Sequence, residues 1–279
     1  MTERDRFRDK LVRIWDRART GSRRGPVWAP RALAVVVFGM ILVVGCVDER
    51  EVFLPFPLYE DPPSGAAGFL GYSDQDEKLP VCGNCHVGQQ AEWEQTAHAG
   101  AWATLQESGH SQTFCEGCHT ISENGNLTAD MSVGWTATSD PRYQDVQCES
   151  CHGPGLEHVL NPDNNVTKPI PSILVGTELT NGCGECHQGA HHGFVDEWAQ
   201  SRHGDAANVP QYRERDGCRS CHGGRGALEA WGIDAEYLEK DSTEPFGIVC
   251  AVCHDPHNPA NSGQLRFPVD DPNVETNLC

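Results

Sequence analysis

Apolar residues are unevenly distributed along the chain of 279 residues, and the one long apolar run lies at 32–45. This run of 14 residues is shorter than the roughly 20 that a helix needs to cross a bilayer. It follows a basic segment, 1–31, which holds ten Lys and Arg residues against four acids. A basic segment followed by a short apolar run is typical of export signals. We therefore predict a signal peptide over 1–45.

The apolar run ends in a short pattern that predicts a lipid anchor. Residues Val43-Val44-Gly45-Cys46 resemble a bacterial lipobox, in which the cysteine carries the lipid. The alternative is an uncleaved N-terminal anchor in which Cys46 has no role. Both interpretations predict an exported, membrane-anchored protein that faces the periplasm or the cell exterior. Val47 follows the cysteine, whereas Asp often marks retention at the inner membrane, so the outer membrane is favoured.

Beyond the signal, apolar positions occur in short stretches. The pattern predicts short helices at about 89–107 and 193–203. Residues 46–79 are rich in Pro, Gly and acids and are interpreted as an acidic tether. The Asn and Pro cluster within 161–180 predicts a linker.

Composition limits the kind of protein further. Apolar residues are 38% of the chain, and Gly and Pro together number 47, so an ordinary hydrophobic core would be small. The net charge is -19, and without the basic signal it is near -25. This acidity argues against nucleic acid as a partner, because phosphate binders carry a basic face. It favours solubility and basic patches on partners.

Twelve of the 14 cysteines belong to one motif, Cys-x-x-Cys-His, which occurs six times. Two thiols and an adjacent histidine at this spacing are the attachment site of haem c: the thiols bind the haem edge and the histidine binds its iron. Zinc and iron–sulfur sites also use paired cysteines, but their chemistry does not require a histidine after every pair. The predicted cofactor is therefore haem c, with its iron. The six motifs, numbered 1 to 6 below, are Cys82-Cys85-His86, Cys115-Cys118-His119, Cys148-Cys151-His152, Cys183-Cys186-His187, Cys218-Cys221-His222 and Cys250-Cys253-His254.

The motifs form two rows of three. Their first cysteines are 33, 33, 35, 35 and 32 residues apart, which is a repeat signal. A longer repeat is carried by QAEWEQTAH, ending at His98, and VDEWAQSRH, ending at His203. The sequence thus predicts two related three-haem units, 80–160 and 181–260, called here the first and second triplets. A tail at 261–279 follows.

Seven histidines remain as candidates for the second iron ligand. Met131 is the one methionine after the predicted signal, so His–His ligation and low potentials are predicted. His98 and His203 share a local pattern and are predicted to be second ligands. His158 and His257 closely follow their own motifs, so we expect each to bind a neighbouring haem. For His110, His191 and His192, ligation and a solvated or propionate-bonding role stay open.

The run CxxCH…EWxxSxH…CxxCH…CESCHGPGxxH resembles the cytochrome c554-type multihaem family over roughly 80–260. That family is related in haem packing to octahaem hydroxylamine oxidoreductase and pentahaem nitrite reductase. The resemblance implies a mostly α fold with extensive coil and little or no β-structure, in which short helices and loops wrap stacked haems. It also supports His98, His203 and His158 as second ligands. The CxxCK motif of many pentahaem nitrite reductases does not occur in this sequence.

The last residue, Cys279, lies 29 residues after Cys250. This spacing predicts the first cysteine of a seventh motif in a longer chain; the alternative is a genuine C-terminal cysteine.

The predicted function is electron relay between membrane or periplasmic donors and terminal or extracellular acceptors, with other redox proteins as partners. The alternatives are an oxidoreductase that acts on a small nitrogen or sulfur compound at one open haem, and a mainly structural subunit of a respiratory complex. Electron relay, the predicted function, requires no catalytic residue.

Overall fold

Short helices and long irregular connections dominate the residues that the computed structural model describes: 58–172, 175, 182–189, 192–204, 210–213, 215–233 and 246–273. The predicted export signal, Cys46, His191 and Cys279 lie outside the described residues. The predicted fold class, mostly α with extensive coil and little β-structure, is confirmed.

Eleven α-helices occur in the described residues, and none exceeds seven residues. Three of them include both cysteines of a motif: α5, α7 and α11. In chain order the helices are α1 Val87–Trp93, α2 Ala101–Glu107, α3 Thr113–Glu116, α4 Trp135–Thr138, α5 Cys148–His152, α6 Leu156–Leu160, α7 Cys183–Cys186, α8 Phe194–Gln200, α9 Arg219–His222, α10 Gly224–Ala230 and α11 Cys250–Cys253.

A two-stranded antiparallel ribbon precedes α1. Strand β1, Tyr72–Asp74, pairs with β2, Leu79–Pro80, so that Tyr72 faces Pro80. Single 3₁₀ turns connect the other elements, at Val81–Asn84, His98–Gly100, Pro141–Tyr143, Asn165–Thr167, Pro210–Tyr212 and Ser262–Gln264.

The helix predicted at 89–107 is interrupted. Helix α1 ends at Trp93, and α2 begins at Ala101 after a 3₁₀ turn. The side chain of Thr96 donates to the carbonyl oxygen of Trp93 at 2.8 Å, which offers the backbone a local alternative to helix continuation. The second predicted helix, 193–203, is seen as α8, Phe194–Gln200.

The main hydrophobic cluster lies in the first triplet and the tether before it. Tyr143 is fully buried, and its hydroxyl donates to the carbonyl oxygen of Phe69 at 2.9 Å. Trp102 packs against Trp135, with ring centroids 4.6 Å apart. The buried members of the cluster are Ala66, Phe69, Ile121, Val133, Trp135 and Tyr143.

A buried carboxylate fastens the tether to motif 3. Glu149 accepts hydrogen bonds from the backbone N–H groups of Leu70, Gly71 and Gly155, at 2.7 to 3.0 Å. Gly71 has φ +71°, and a Cβ there would lie 2.5 Å from the carbonyl oxygen of Arg142, so the close approach needs glycine. The ribbon and motif 3 are therefore held in one fixed arrangement.

A smaller cluster lies in the second triplet, where Leu228 of α10 and Ala251 of α11 are buried together. Trp231, Ile233, Phe246 and Val249 pack against them. Both triplets fall within one compact unit, Pro57–Cys279. Within the part of the chain that the structure describes, no helix has the length and apolarity needed to cross a membrane.

Candidate haem-binding sites

Each motif is folded as a single tight turn. The N–H of the motif histidine donates to the carbonyl oxygen of the first cysteine in motifs 1, 4, 5 and 6, at 2.9 to 3.1 Å. Residues four apart in such a turn lie on the same side of the backbone. The first sulfur and the imidazole of one motif therefore project in the same direction, as joint attachment to one haem requires. None of the twelve motif cysteines forms a disulfide.

Four motif histidines face a second histidine ring at nearly the same distance. Two imidazoles that bind one iron from opposite sides have centroids roughly 6.3 Å apart, because each metal–nitrogen bond is about 2.0–2.1 Å. The observed distances, 6.2 to 6.4 Å, fit this value. The pairs are His86 with His158, His119 with His192, His152 with His257, and His187 with His98.

Three of these pairs join the two triplets. His98 of the first triplet faces His187 of motif 4. In the opposite direction, His192 faces motif 2 and His257 faces motif 3. The pair of His86 and His158 lies wholly within the first triplet. The triplets are thus interlocked by histidines that cross from one to the other.

Backbone carbonyl groups orient three of the motif histidines. The Nδ1 atoms of His119, His152 and His254 lie 2.8, 3.1 and 2.6 Å from the carbonyl oxygens of Ala101, Pro169 and Gly263. A histidine that donates its Nδ1–H in this way presents its Nε2 lone pair to a metal.

Burial keeps several of the facing histidines neutral. It lowers the pKa of His98 to about 4, with a further contribution from the facing His187. Burial also lowers the pKa of His152, His187 and His257. The neutral imidazole is the form that binds a metal, so the environment favours ligation at pH 7.

Cysteine sulfurs from different motifs lie next to each other. The nearby thiol of Cys148 in motif 3 raises the pKa of Cys82 in motif 1, and that of Cys250 in motif 6 lowers the pKa of Cys183 in motif 4. Between the triplets, Cys118 approaches Cys186 in the same way. The contact of motif 1 with motif 3 is therefore repeated as that of motif 4 with motif 6.

The local scaffold around the two EW segments is also repeated. The indole Nε1–H of Trp93 donates to the carbonyl oxygen of Val146, two residues before motif 3, at 2.9 Å. The indole of Trp198 makes the same bond, also 2.9 Å long, to Ile248, two residues before motif 6.

A hydroxyl-bearing residue then closes each turn. The side chains of Thr96 and Ser201 donate to the carbonyl oxygens of Trp93 and Trp198, at 2.8 and 2.6 Å. His98 and His203 each follow by two residues. The two histidines are thus equivalent positions of a structural repeat.

The remaining predicted ligands have different surroundings. His203, His222 and His254 are exposed, and within the described ranges no histidine ring lies opposite any of them. The ring of Tyr212 lies 5.5 Å from that of His222. His110 is exposed in the loop after α2.

His192 is the site residue whose role the sequence left open. It is adjacent to His191, and nothing in the spacing distinguishes the two neighbours. The structure places the ring of His192 6.4 Å from that of His119 and 5.9 Å from that of His187. No sequence signal separates it from His191, because the two lie five and four residues after motif 4.

The motif turns, the facing histidines and the helix-and-coil fold define a multihaem c-type cytochrome. Residues 81–153 match the family described as cytochrome c554 and c-prime. No solved structure is significantly similar to the chain.

Three curated relatives are similar to parts of the chain. Multiheme cytochrome MtrA of Shewanella baltica is 28% identical over 172 residues, which are 55% of this chain and 48% of MtrA. C-type polyheme cytochrome OmcB of Geobacter sulfurreducens is 27% identical over 50% of this chain and 19% of its own length. Cytochrome c-554 of Nitrosomonas europaea is 29% identical over 26% of this chain and 36% of its own length. The chain thus spans less than half the length of each of these relatives.

Proposed function

We propose that the protein relays electrons through six haems c, one at each motif, between membrane or periplasmic donors and terminal or extracellular acceptors. The four histidine pairs at 6.2 to 6.4 Å carry this proposal, because their spacing fits iron bound on both sides. An iron with two protein ligands has no free position for a substrate, so it serves electron transfer. The names of the relatives, all cytochromes, support the same class of function.

The proximity of cysteine sulfurs from five of the six motifs supports a series of neighbouring redox centres. The sulfurs of one motif attach to the edge of its haem, so motifs whose sulfurs lie close together hold neighbouring haem edges. Such contacts connect motif 1 with motif 3, motif 2 with motif 4, and motif 4 with motif 6. The two triplets are also close at Cys151 and Cys183: burial raises the pKa of Cys151 to about 12, and the Cys183 sulfur adds to the rise.

When bound, each haem supplies a one-electron couple, and the chain sets its ligands and surroundings. Histidine at both iron positions gives a lower potential than methionine at one of them, so the haems proposed at the four histidine pairs are low-potential centres. Exposed apolar side chains beside the motifs, at Val87, Phe114 and Phe194, are suited to cover haem faces.

We further propose that Cys46 carries a lipid and that the protein faces the periplasm or the cell exterior, with the outer membrane favoured. Mass spectrometry of the mature N-terminus tests this: we expect a diacylglyceryl-modified Cys46. An N-terminus that retains residues 1–45 would contradict it.

The relay is tested on the haem-loaded chain. A pyridine haemochrome assay should give six haems per chain, and a potentiometric titration should show all of them reduced below the potentials typical of His–Met cytochromes. Rapid mixing of the reduced protein with an oxidised one-electron acceptor should then oxidise all six haems in one continuous process. Fewer than six haems, or a subset that never exchanges electrons, would contradict the proposal.

A second candidate function is an oxidoreductase that acts on a small nitrogen or sulfur compound. It is favoured by His222 and His254, which no other described histidine ring faces. Steady-state assays with nitrite, hydroxylamine and sulfite distinguish the two functions. Turnover coupled to a chemical electron donor or acceptor would support the enzyme, whereas a carrier shows none.

A further inference from the structure

Histidines of each triplet face haem motifs of the other triplet. The first triplet sends His98 to motif 4 of the triplet that follows it. It receives His192 and His257 in return, at motifs 2 and 3. Together with His158 at motif 1, these histidines match every haem motif of the first triplet with a second histidine.

The second triplet contains a counterpart of each of these three positions. His203 corresponds to His98, as the repeated Trp, hydroxyl and His scaffold shows. His222 and His254 correspond to the histidines of motifs 2 and 3, because they belong to motifs 5 and 6.

All three counterparts are exposed, and no histidine ring in the described part of the chain faces any of them. His254 is nevertheless oriented for ligation, since its Nδ1 is held by the carbonyl oxygen of Gly263 at 2.6 Å. In the first triplet, the corresponding three positions all meet one neighbour. If the equivalent positions of the second triplet are matched in the same way, they require another three-haem unit next to that triplet.

We propose that the second triplet docks a further three-haem unit of the same repeat, through His203, His222 and His254. The docked unit supplies one histidine to the iron at motif 5 and one to the iron at motif 6. In return, His203 binds the iron of its first haem. The inference rests on the proposed haem attachment and goes beyond it by naming the partner of the second triplet.

A second copy of this chain does not meet the requirement. The first haem motif of a copy contains His86, which already faces His158. His203 would find no free iron position there. The partner must instead have a first motif like motif 4, whose second histidine comes from outside its own triplet.

The primary test compares His98→Ala with His203→Ala, which alter equivalent positions. Cyanide binding to the haem-loaded chain is followed by electron paramagnetic resonance and optical titration. We expect two haems of the parent chain to bind cyanide, and three in His98→Ala. In His203→Ala the number should stay at two, because His203 binds no iron of this chain. His191→Ala should likewise leave it at two.

Three outcomes would overturn the proposal: a parent chain in which no haem binds cyanide, a His203→Ala or His191→Ala variant that gains a cyanide-binding haem, or self-association that removes cyanide binding. A haem count below six would instead count against the proposed function, so the two failures are distinguishable.

A second test supplies the proposed partner. Residues 181–273 are repeated in tandem after residue 273, which adds a triplet that begins with a copy of motif 4. If the triplets exchange ligands as proposed, two of the nine haems of the tandem chain should bind cyanide. Three should bind it when His203→Ala is introduced. Five cyanide-binding haems in the tandem chain would show that the triplets do not exchange ligands.

Discussion

At the scale of single residues, the proposed haem sites at motifs 1 to 4 each depend on one histidine outside the motif. His158 illustrates this, since its ring centroid lies 6.4 Å from that of His86, the spacing expected of two imidazoles on one iron. Its Nδ1 is buried without a hydrogen-bond partner in the described structure. A buried polar atom without a partner is unfavourable, and iron binding at this nitrogen would remove that cost.

We predict that His158→Ala converts one haem from low spin to high spin and allows it to bind cyanide. The reason is the loss of the ring opposite His86. Electron paramagnetic resonance of the haem-loaded variant measures the change. His110→Ala is the matched control, because His110 is exposed and faces no described ring. A low-spin signal of unchanged intensity in His158→Ala would contradict the assignment.

The sequence predicts the motif residues, because thioether chemistry fixes their spacing. It also predicts the candidates for second ligands, because methionine is scarce and histidine is the remaining choice. It cannot predict which histidine faces which motif. His152 and His257 are 105 residues apart, and their meeting depends on how the whole chain folds. The choice between His191 and His192 likewise depends on the direction of one turn.

At the scale of elements, two tryptophans connect the EW helices to the third motif of their triplets. The indole of Trp93 is buried and donates to Val146, whereas that of Trp198 is half-buried and donates to Ile248. The helices are too short to be stable by themselves. Their position therefore depends on these tertiary bonds.

We predict that Trp93→Phe lowers the free energy of unfolding by about 1–3 kcal/mol, because the carbonyl oxygen of the half-buried Val146 loses its donor. Trp198→Phe, at the equivalent and more exposed position, should cost less. Denaturant unfolding of the two haem-loaded variants measures the difference. An equal or greater loss in Trp198→Phe would contradict the ranking.

A second prediction at this scale concerns Glu149. Burial raises its pKa to about 7, although the N–H groups of Gly71, Gly155 and Leu70 act in the opposite direction. The folded carboxyl therefore holds its proton more tightly than the unfolded one, whose pKa is near 4.5. The resulting stability is fully present below pH 4.5 and is lost as pH rises through 7.

Glu149→Gln removes this titration and also replaces one acceptor oxygen by an NH₂ group that faces backbone donors. We expect a loss of about 1–3 kcal/mol that is largest at pH 5 and smaller at pH 8. Denaturant unfolding of the haem-loaded proteins at both values measures it. Glu157→Gln, an exposed change on α6, is the control. A loss that is equal at pH 5 and pH 8 would contradict the linkage.

The predicted helix at 89–107 shows why the ends of helices are harder to predict from sequence than the haem motifs. Its apolar pattern continues past Trp93, yet the hydroxyl of Thr96 bonds to the carbonyl of that residue and ends α1. The break turns His98 toward motif 4, where its ring faces that of His187. The interruption is therefore part of the proposed site.

At the scale of the whole molecule, the protein core is small relative to the chain. The described residues contain three buried apolar clusters, with six, two and three buried side chains. Helices of at most seven residues add little stability alone. Folding must then depend on the haems, whose faces supply the missing apolar surface.

We predict that the haem-free chain does not fold cooperatively. Circular dichroism of protein made without haem attachment should show little helix and no sharp thermal transition, whereas the haem-loaded protein should show both. Reconstitution with iron-free porphyrin controls for apolar surface without ligation. A cooperative transition in the haem-free chain would contradict the prediction.

The crossing histidines have a consequence for how the molecule is made. An exported chain would emerge from its N-terminus, and the proposed second ligands of motifs 2 and 3 lie 73 and 105 residues after the histidines they face. The pair of His86 and His158 can close as soon as the first triplet is out. Motifs 2 and 3 must wait for His192 and His257, and His98 must wait for His187. On the proposed ligation, the first triplet would pass through a period in which haem is attached but not yet enclosed, and any factor that protects it during maturation would have to act within that interval.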